Sequence, residues 1–267
     1  MNERWLGWLV VPALTVACGG NNSTSVDARA VDASPDAHVT VVNETGTAVD
    51  QITGAPIASA QVCAYGLADP PCATTAADGT YSMAVPLPDT KTQIALVTTA
   101  DGYLGRENDL AEDPASGELF WETTHGLYAS ADASTLFATD AGFTYPSSST
   151  GFIEIMVFPS SVTGNAPSVT ATISPTASTP VYGGSDGSAT PDPALTATPG
   201  TADVGFVYFG DIAPGTYQIT VQSANGMCTS LYGSGTVNGE WPPTGSASVS
   251  AGAYANVLNI GIVVDCP

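Results

Sequence analysis

The chain has 267 residues and a formal net charge of −21, with only 4 lysines and arginines against 25 acids. So few cations exclude a nucleic-acid-binding face and a polybasic membrane contact. No stretch stays apolar over the roughly 20 residues that a membrane-spanning helix needs.

In chain order, "MNER" supplies a short basic start at Arg4, and Trp5 to Ala17 follow without a charge. That length suits the apolar core of an export signal. The run ends at Cys18, and "GGNNSTSVDARAVDASPDA" behind it has almost no apolar mass. Such a composition buries too little surface to offset chain entropy, so residues 18–37 are expected to be a disordered tether.

The junction is similar to the lipobox of bacterial lipoproteins. Val16, Ala17 and Cys18 match it, whereas Thr15 stands at the usual leucine position with Leu14 one place early. The resemblance implies that residues 1–17 are a signal peptide and that Cys18 carries a lipid, making the membrane a partner. Gly19 stands where an Asp retains many such proteins at the inner membrane, so the implied location is the outer membrane or cell surface. The alternative is ordinary cleavage near Ala17 and secretion.

Five cysteines are an odd number for an exported chain. With Cys18 acylated, Cys63, Cys72, Cys228 and Cys266 remain for an oxidising compartment. Four cysteines allow three pairings. Cys63–Cys72 with Cys228–Cys266 is favoured, because each pair then stays within one candidate domain.

The body reads as all-β. Strands are expected at 38–43, 60–65, 80–85 and 92–99, separated by turn signals such as "NETG", "ADPP" and "ADG". Residues 106–149 read as a linker with one short helix over "ASADASTLFATDAGF", capped by Ser130 or Asp132 and ended by Gly142. Strands resume at 151–158, 168–174, 202–210, 215–222 and 255–264. A Pro/Gly/Asp-rich excursion before residue 201 reads as a loop with one short strand at "ALTAT". The expected architecture is two β-sandwich domains, 38–105 and 150–267, joined through the helix.

"GTYSMAV" (79–85) and "GTYQITV" (215–221) repeat one turn-strand unit whose Tyr, aliphatic residue and Val share a face. With "TGAPIASAQV" (53–62), "TTAADGTY" (74–81) and "TADGYLG" (99–105), the first half resembles the carboxypeptidase regulatory-like domain. That resemblance implies a prealbumin-like sandwich and a non-catalytic module of surface and secreted proteins. The second half carries only "APGTYQITV" clearly, so it is a diverged copy or another immunoglobulin-like sandwich.

Catalytic patterns are thin. Zinc peptidase chemistry needs several His and Glu ligands, but only His38 and His125 exist, the latter with Glu122 three residues before it. "GGSDG" (183–187) fits G-x-S-x-G but lacks the flanking strand and helix of a nucleophile elbow. Asp186 and Asp192 offer oxygen ligands for calcium, yet read better as a solvated loop. Lys91 is the chain's only lysine and reads as a solvated charge rather than half of an isopeptide bond. No metal, cofactor or catalytic residue is expected. The leading function is a non-catalytic cell-envelope binding or structural module. The alternative is a carbohydrate-binding surface protein whose loop aromatics Tyr232 and Trp241 meet an extracellular glycan, a protein ligand being the other possible partner.

Overall fold

The computed structural model describes residues 40–67, 69–87, 92–112, 124–159, 165–183, 189–201, 203–232 and 249–267. In the first half lie β1 (Thr40–Asp50), β2 (Gln61–Tyr65), β3 (Cys72–Thr74), β4 (Thr80–Leu87), β5 (Thr92–Thr99), β6 (Gly105–Glu112) and β7 (Thr124–Leu127). A short helix α1 (Ser130–Ala133) runs into a π-helical stretch (Ser134–Asp140). The second half holds β8 (Gly151–Pro159), β9 (Val169–Ser174), β10 (Val181–Gly183), β11 (Pro191–Asp192), β12 (Gly205–Ile212) and β13 (Gly215–Ser223). It ends with β14 (Gly226–Met227), β15 (Thr229–Tyr232), β16 (Val249–Ala253) and β17 (Val257–Cys266). The protein is all-β, in several sheets.

One sheet of ten strands runs through both halves in the order β11-β10-β12-β8-β17-β6-β5-β2-β3, with β15 also on β17. The joint is β17, which lies parallel to β6 through Val257–Asn259 and parallel to β8 from Leu258 onward. A three-stranded sheet (β4-β1-β7) and a four-stranded sheet (β9, β13, β14, β16) supply the covering layers.

Partnered residues on neighbouring strands share a face. The registers therefore place Val62, Thr98, Arg106, Leu258 and Phe152 on one face of the long sheet. Cys63, Val97, Glu107, Asn259, Ile153 and Phe209 lie on the other. The first face packs Val62, Leu96 and Ile94 against Tyr81, Met83 and Val85 of the three-stranded sheet. The second face packs Ile153, Ile155 and Phe209 against Tyr217, Ile219 and Val221 of the four-stranded sheet. The two halves thus carry their covering sheets on opposite faces of one shared sheet.

That arrangement explains the patterning. β4 and β13 alternate buried and solvent-facing residues because each covering sheet has one wet face. β8 reads "GFIEIMVFP" as a nearly unbroken apolar run because both its faces are covered. The repeated Gly-Thr-Tyr unit does the same work twice, Tyr81 and Tyr217 each starting a covering strand inward.

The uncovered part of the first face is filled from α1 and its continuation. Ala133 and Phe137 pack on Phe152, Tyr208 and Leu258, with Phe143 and Tyr145 alongside. Phe143 lies so close over Gly210 that any added Cβ there would strike its ring.

The stretch expected as a linker contributes β6 and β7 to the sheets. Its charges (Arg106, Glu107, Asp109, Glu112) hid β6, and four residues are too few for β7 to show a period. The helix lies where expected and Gly142 (φ 75°) follows it, but the cap differs. Ala129 holds the N-cap without a side-chain bond. The N–H of Ser130 is instead taken by the Gly102 carbonyl at 2.8 Å, and its hydroxyl meets Tyr145.

"ALTAT" is not a strand. Thr198 caps the outer edge of β9, its hydroxyl accepting from Val169 N at 2.8 Å and its N–H donating to Val169 O at 3.0 Å. Tyr182 Oη accepts from Ala171 N at 3.2 Å. The Pro/Gly-rich excursion therefore blunts an edge strand that would otherwise invite another chain.

Candidate functional site

The polar residues that break the apolar pattern converge on one buried layer, between the first face of the long sheet and the three-stranded sheet. Glu44 comes from β1, Tyr81 from β4, His125 from β7 and Thr98 from β5. Glu44 and Tyr81 are 5% exposed, and His125 and Thr98 are wholly buried. Tyr81 Oη lies 2.9 Å from His125 Nε2 and 3.5 Å from Glu44 Oε1, and Thr98 Oγ1 lies 3.0 Å from His125 Nδ1. With His125 protonated on Nε2, every hydrogen has one acceptor: Thr98 donates to Nδ1, Nε2 donates to Tyr81, and Tyr81 donates to Glu44. The Tyr81 ring meets the imidazole edge-on.

Arg106 of β6 extends the layer toward the second half. Its guanidinium donates to the Gly126 carbonyl at 3.2 Å and to Gln51 Oε1 at 3.4 Å. Glu154 of β8 lies within its field, buried with Tyr208 and beside the partly buried Tyr128.

Burial sets the electrostatics. It pushes His125 down to about 3, helped by the Arg106 charge, so the imidazole is neutral. Burial raises Glu44 to about 7 against the opposing hydrogen bond from Tyr81. It raises Glu154 to about 7 as well, against the pull of Arg106. Tyr128 is pushed up to about 12 by burial and by the Glu154 charge, and Tyr81 and Tyr208 rise for the same two kinds of reason. These are groups held out of water and tied to one another. Solvent and substrate have no approach to the imidazole.

On the opposite face Glu107 and Asn259 are register partners across β6 and β17, both wholly buried.

The two disulfides of the structure are Cys63–Cys72 and Cys228–Cys266. Cys63 and Cys72 face each other directly across β2 and β3, Cα–Cα 4.1 Å, and fasten the last strand of the long sheet. Cys228–Cys266 fastens the segment between β14 and β15 to the end of β17, Cα–Cα 4.2 Å.

The other expected residues fall apart. Cys18, His38, Lys91, Glu122, Asp186 and Trp241 lie outside the described residues. Tyr232 ends β15, and its side chain is not among those described. Asp192 Oδ1 accepts from Ala194 N within its own turn. Among the described residues no three His, Cys, Asp or Glu side chains are grouped to hold a metal, and no helix is long and apolar enough to cross a membrane.

Sequence reasoning singled out His125 but missed its partners. Glu154 had a signal, being the one charge in "GFIEIMVF". Glu44 had a weaker one, since strand parity puts it on the inward side with Val42 and Ala48. Arg106 and Thr98 needed the three-dimensional register.

No family model matches the chain, and no curated protein matches it. Among solved structures it is similar to the Bacillus anthracis TIE protein (14% identity, TM-score 0.24), over 84% of this chain and 34% of that one. The chain thus spans about a third of that protein's length. It is also similar to the shaft pilin spaA from Lactobacillus rhamnosus GG, with 13% identity, a TM-score of 0.24 and coverage of 85% and 98%. A third likeness is the minor pilin GBS52 of Streptococcus agalactiae, with 12% identity, a TM-score of 0.21 and coverage of 84% and 95%. Likenesses this distant transfer no ligand, partner or assembly.

Proposed function

We propose that this chain is a non-catalytic module of the bacterial cell envelope, carried on a lipid at Cys18 and serving as a structural or binding body beyond a tether. The observation that carries the non-catalytic part is the state of His125. It is wholly buried, neutral, and has both ring nitrogens engaged by Tyr81 and Thr98. General acid–base work needs a group near its working pKa and within reach of substrate, and His125 meets neither condition. The carboxyls that share its layer, Glu44 and Glu154, are buried as well.

The envelope part rests on the sequence around Cys18 and on two disulfides, which belong to oxidising compartments. The kinship to carboxypeptidase regulatory-like domains belongs to the same reading. Its three motifs supply the β1–β2 turn with β2, the turn into β4, and the turn after β5. The outer membrane or cell surface is the proposed location.

The test is detergent-phase partitioning of the full precursor, expressed in a bacterial host as wild type and as Cys18→Ala. The proposal expects the wild type in the detergent phase and the variant in the aqueous phase. Wild type in the aqueous phase, alongside the variant, would overturn the anchor.

A further inference from the structure

The two disulfides stand in opposite surroundings. Cys228 and Cys266 are 2% and 1% exposed and belong to the apolar cluster between the long sheet and the four-stranded sheet. Cys63 and Cys72 lie on the face of β2 and β3 turned away from Val62, Ala64 and Ala73, which pack with Tyr81, Met83 and Val85. Cys63 is only 7% exposed, but Cys72 is open to solvent on the three-residue strand that ends the long sheet. We infer that Cys63–Cys72 is a thiol-exchange site, opened reversibly by attack of a small thiol on Cys72 Sγ, while Cys228–Cys266 is closed to the same reagent.

Exchange requires a thiolate to reach one sulfur of the bond, and Cys72 presents the accessible one. The incoming thiolate bonds to Cys72 Sγ as the Cys63–Cys72 bond breaks. The electron pair leaves on Cys63 Sγ, which takes a proton from water, and Cys72 now carries a mixed disulfide. Two exits follow. Cys63, as thiolate, returns to Cys72 Sγ and expels the small thiolate, which restores the starting bond. Alternatively a second small thiolate attacks the sulfur of the first, leaves with it as a disulfide and frees Cys72. That exit moves two electrons, two small thiols being oxidised and one protein disulfide reduced. The fold keeps the cysteines in place throughout. Ala64 N donates to Pro71 O on one side of the pair and Thr75 N to Ala60 O on the other, each at 2.9 Å. Thr75 Oγ1, on a residue 5% exposed, accepts from Ala60 N at 2.9 Å and donates to Ile57 O at 2.7 Å. None of these bonds involves a cysteine, so Cys63 and Cys72 stay opposite one another when the bond between them opens. The net charge of −21 favours a cationic small thiol over an anionic one.

Cysteamine, a cationic monothiol, tests the site on the full mature chain in native buffer, with iodoacetamide trapping and peptide mass mapping over time. The expected early species carries cysteamine on Cys72 and the alkyl group on Cys63. Cys63–Cys72 is expected to open about 100-fold or more faster than Cys228–Cys266, which needs the fold to open first. Near-UV circular dichroism is expected to stay native, and cystamine, the matching disulfide, to restore the Cys63–Cys72 bond. Equal rates for the two bonds, or cysteamine on Cys63 in place of Cys72, would overturn the inference. So would a Cys63–Cys72 bond that opens only with loss of the near-UV signal, or only once urea unfolds the chain.

Discussion

Replacing Arg106 by Leu removes the only cation described in the buried layer while leaving Glu154 in place. The side chain is 6% exposed and donates to Gly126 O and Gln51 Oε1; the variant strands the buried Gly126 carbonyl, while the exposed Gln51 amide turns to water. Each hydrogen bond from a charged group contributes about 1.5–3 kcal/mol, and breaking one side of a buried charge pair costs about 3–5 kcal/mol. The two contributions separate with pH, because Glu154 sits near 7 in the fold against an ordinary 4.5. At pH 5 it is protonated, and only the lost hydrogen bond to the buried Gly126 carbonyl counts, about 2 kcal/mol. At pH 8 the wild-type Glu154 is ionised within the field of Arg106, whereas the variant must hold that charge without the cation or keep the carboxyl protonated, and the loss grows to about 4 kcal/mol or more. Urea denaturation of wild type and Arg106→Leu at both pH values, with the slope m checked for equality, reads the two numbers. The double variant Arg106→Leu/Glu154→Gln is expected to recover the pH-dependent part and nothing else. A loss equal at the two pH values, or no recovery in the double variant, would refute the pairing of Arg106 with Glu154.

The wild-type stability profile follows from three groups. Glu44 and Glu154, raised from 4.5 to about 7, favour the fold fully below 4.5, and that contribution is lost as pH rises through 7. His125, lowered from 6.5 to about 3, acts the other way, its contribution full above 6.5 and lost as pH falls toward 3. Two against one leaves a net loss of about 3 kcal/mol between pH 4.5 and 8, read as a Tm lower by about 6–12 °C at pH 8; a flat or rising Tm contradicts it. Loss of the Cys228–Cys266 bond in the Cys228→Ser/Cys266→Ser variant opens a loop with sequence separation 38, and chain entropy predicts a loss of about 4 kcal/mol. Thermal denaturation measures this, and an unchanged Tm would show the bond to be idle. A fragment beginning at Thr150 lacks Ala133, Phe137, Phe143 and Tyr145, which cover Phe152, Tyr208 and Leu258. It is expected to be insoluble, and a soluble monomer with native-like dispersed NMR signals would show that the second half folds alone.

Strands with a clear alternation were legible from sequence. β5 was read at its full extent, and β4, β8, β9 and β13 to within two residues at either end. Period-2 burial and turn residues are local signals, and these strands have both. β6 was hidden because its residues include four charges, and what makes it a strand is non-local pairing with β5 and β17. The sharing of β17 between halves could not be read for the same reason, since parallel pairing leaves no turn between its partners. Of the buried layer the sequence marks His125, and Tyr81 only as an inward residue of the repeated unit. Too few ligands accompany His125 in sequence for a zinc site, and the structure shows what it does instead, both its nitrogens being engaged by Tyr81 and Thr98. The covering of β9 by Thr198 and Tyr182 was equally invisible, since composition marks 175–200 as loop but not which edge it guards.

The lipid at Cys18 is the claim on which the cellular reading stands, and the intact mass of the mature protein, purified from membranes of the expressing bacterium, tests it most directly. The account predicts a chain that begins at Cys18 and is heavier than residues 18–267 by a diacylglyceryl group, with or without a third acyl chain. A mass equal to the bare polypeptide cleaved near Ala17 would contradict it and make this a secreted protein.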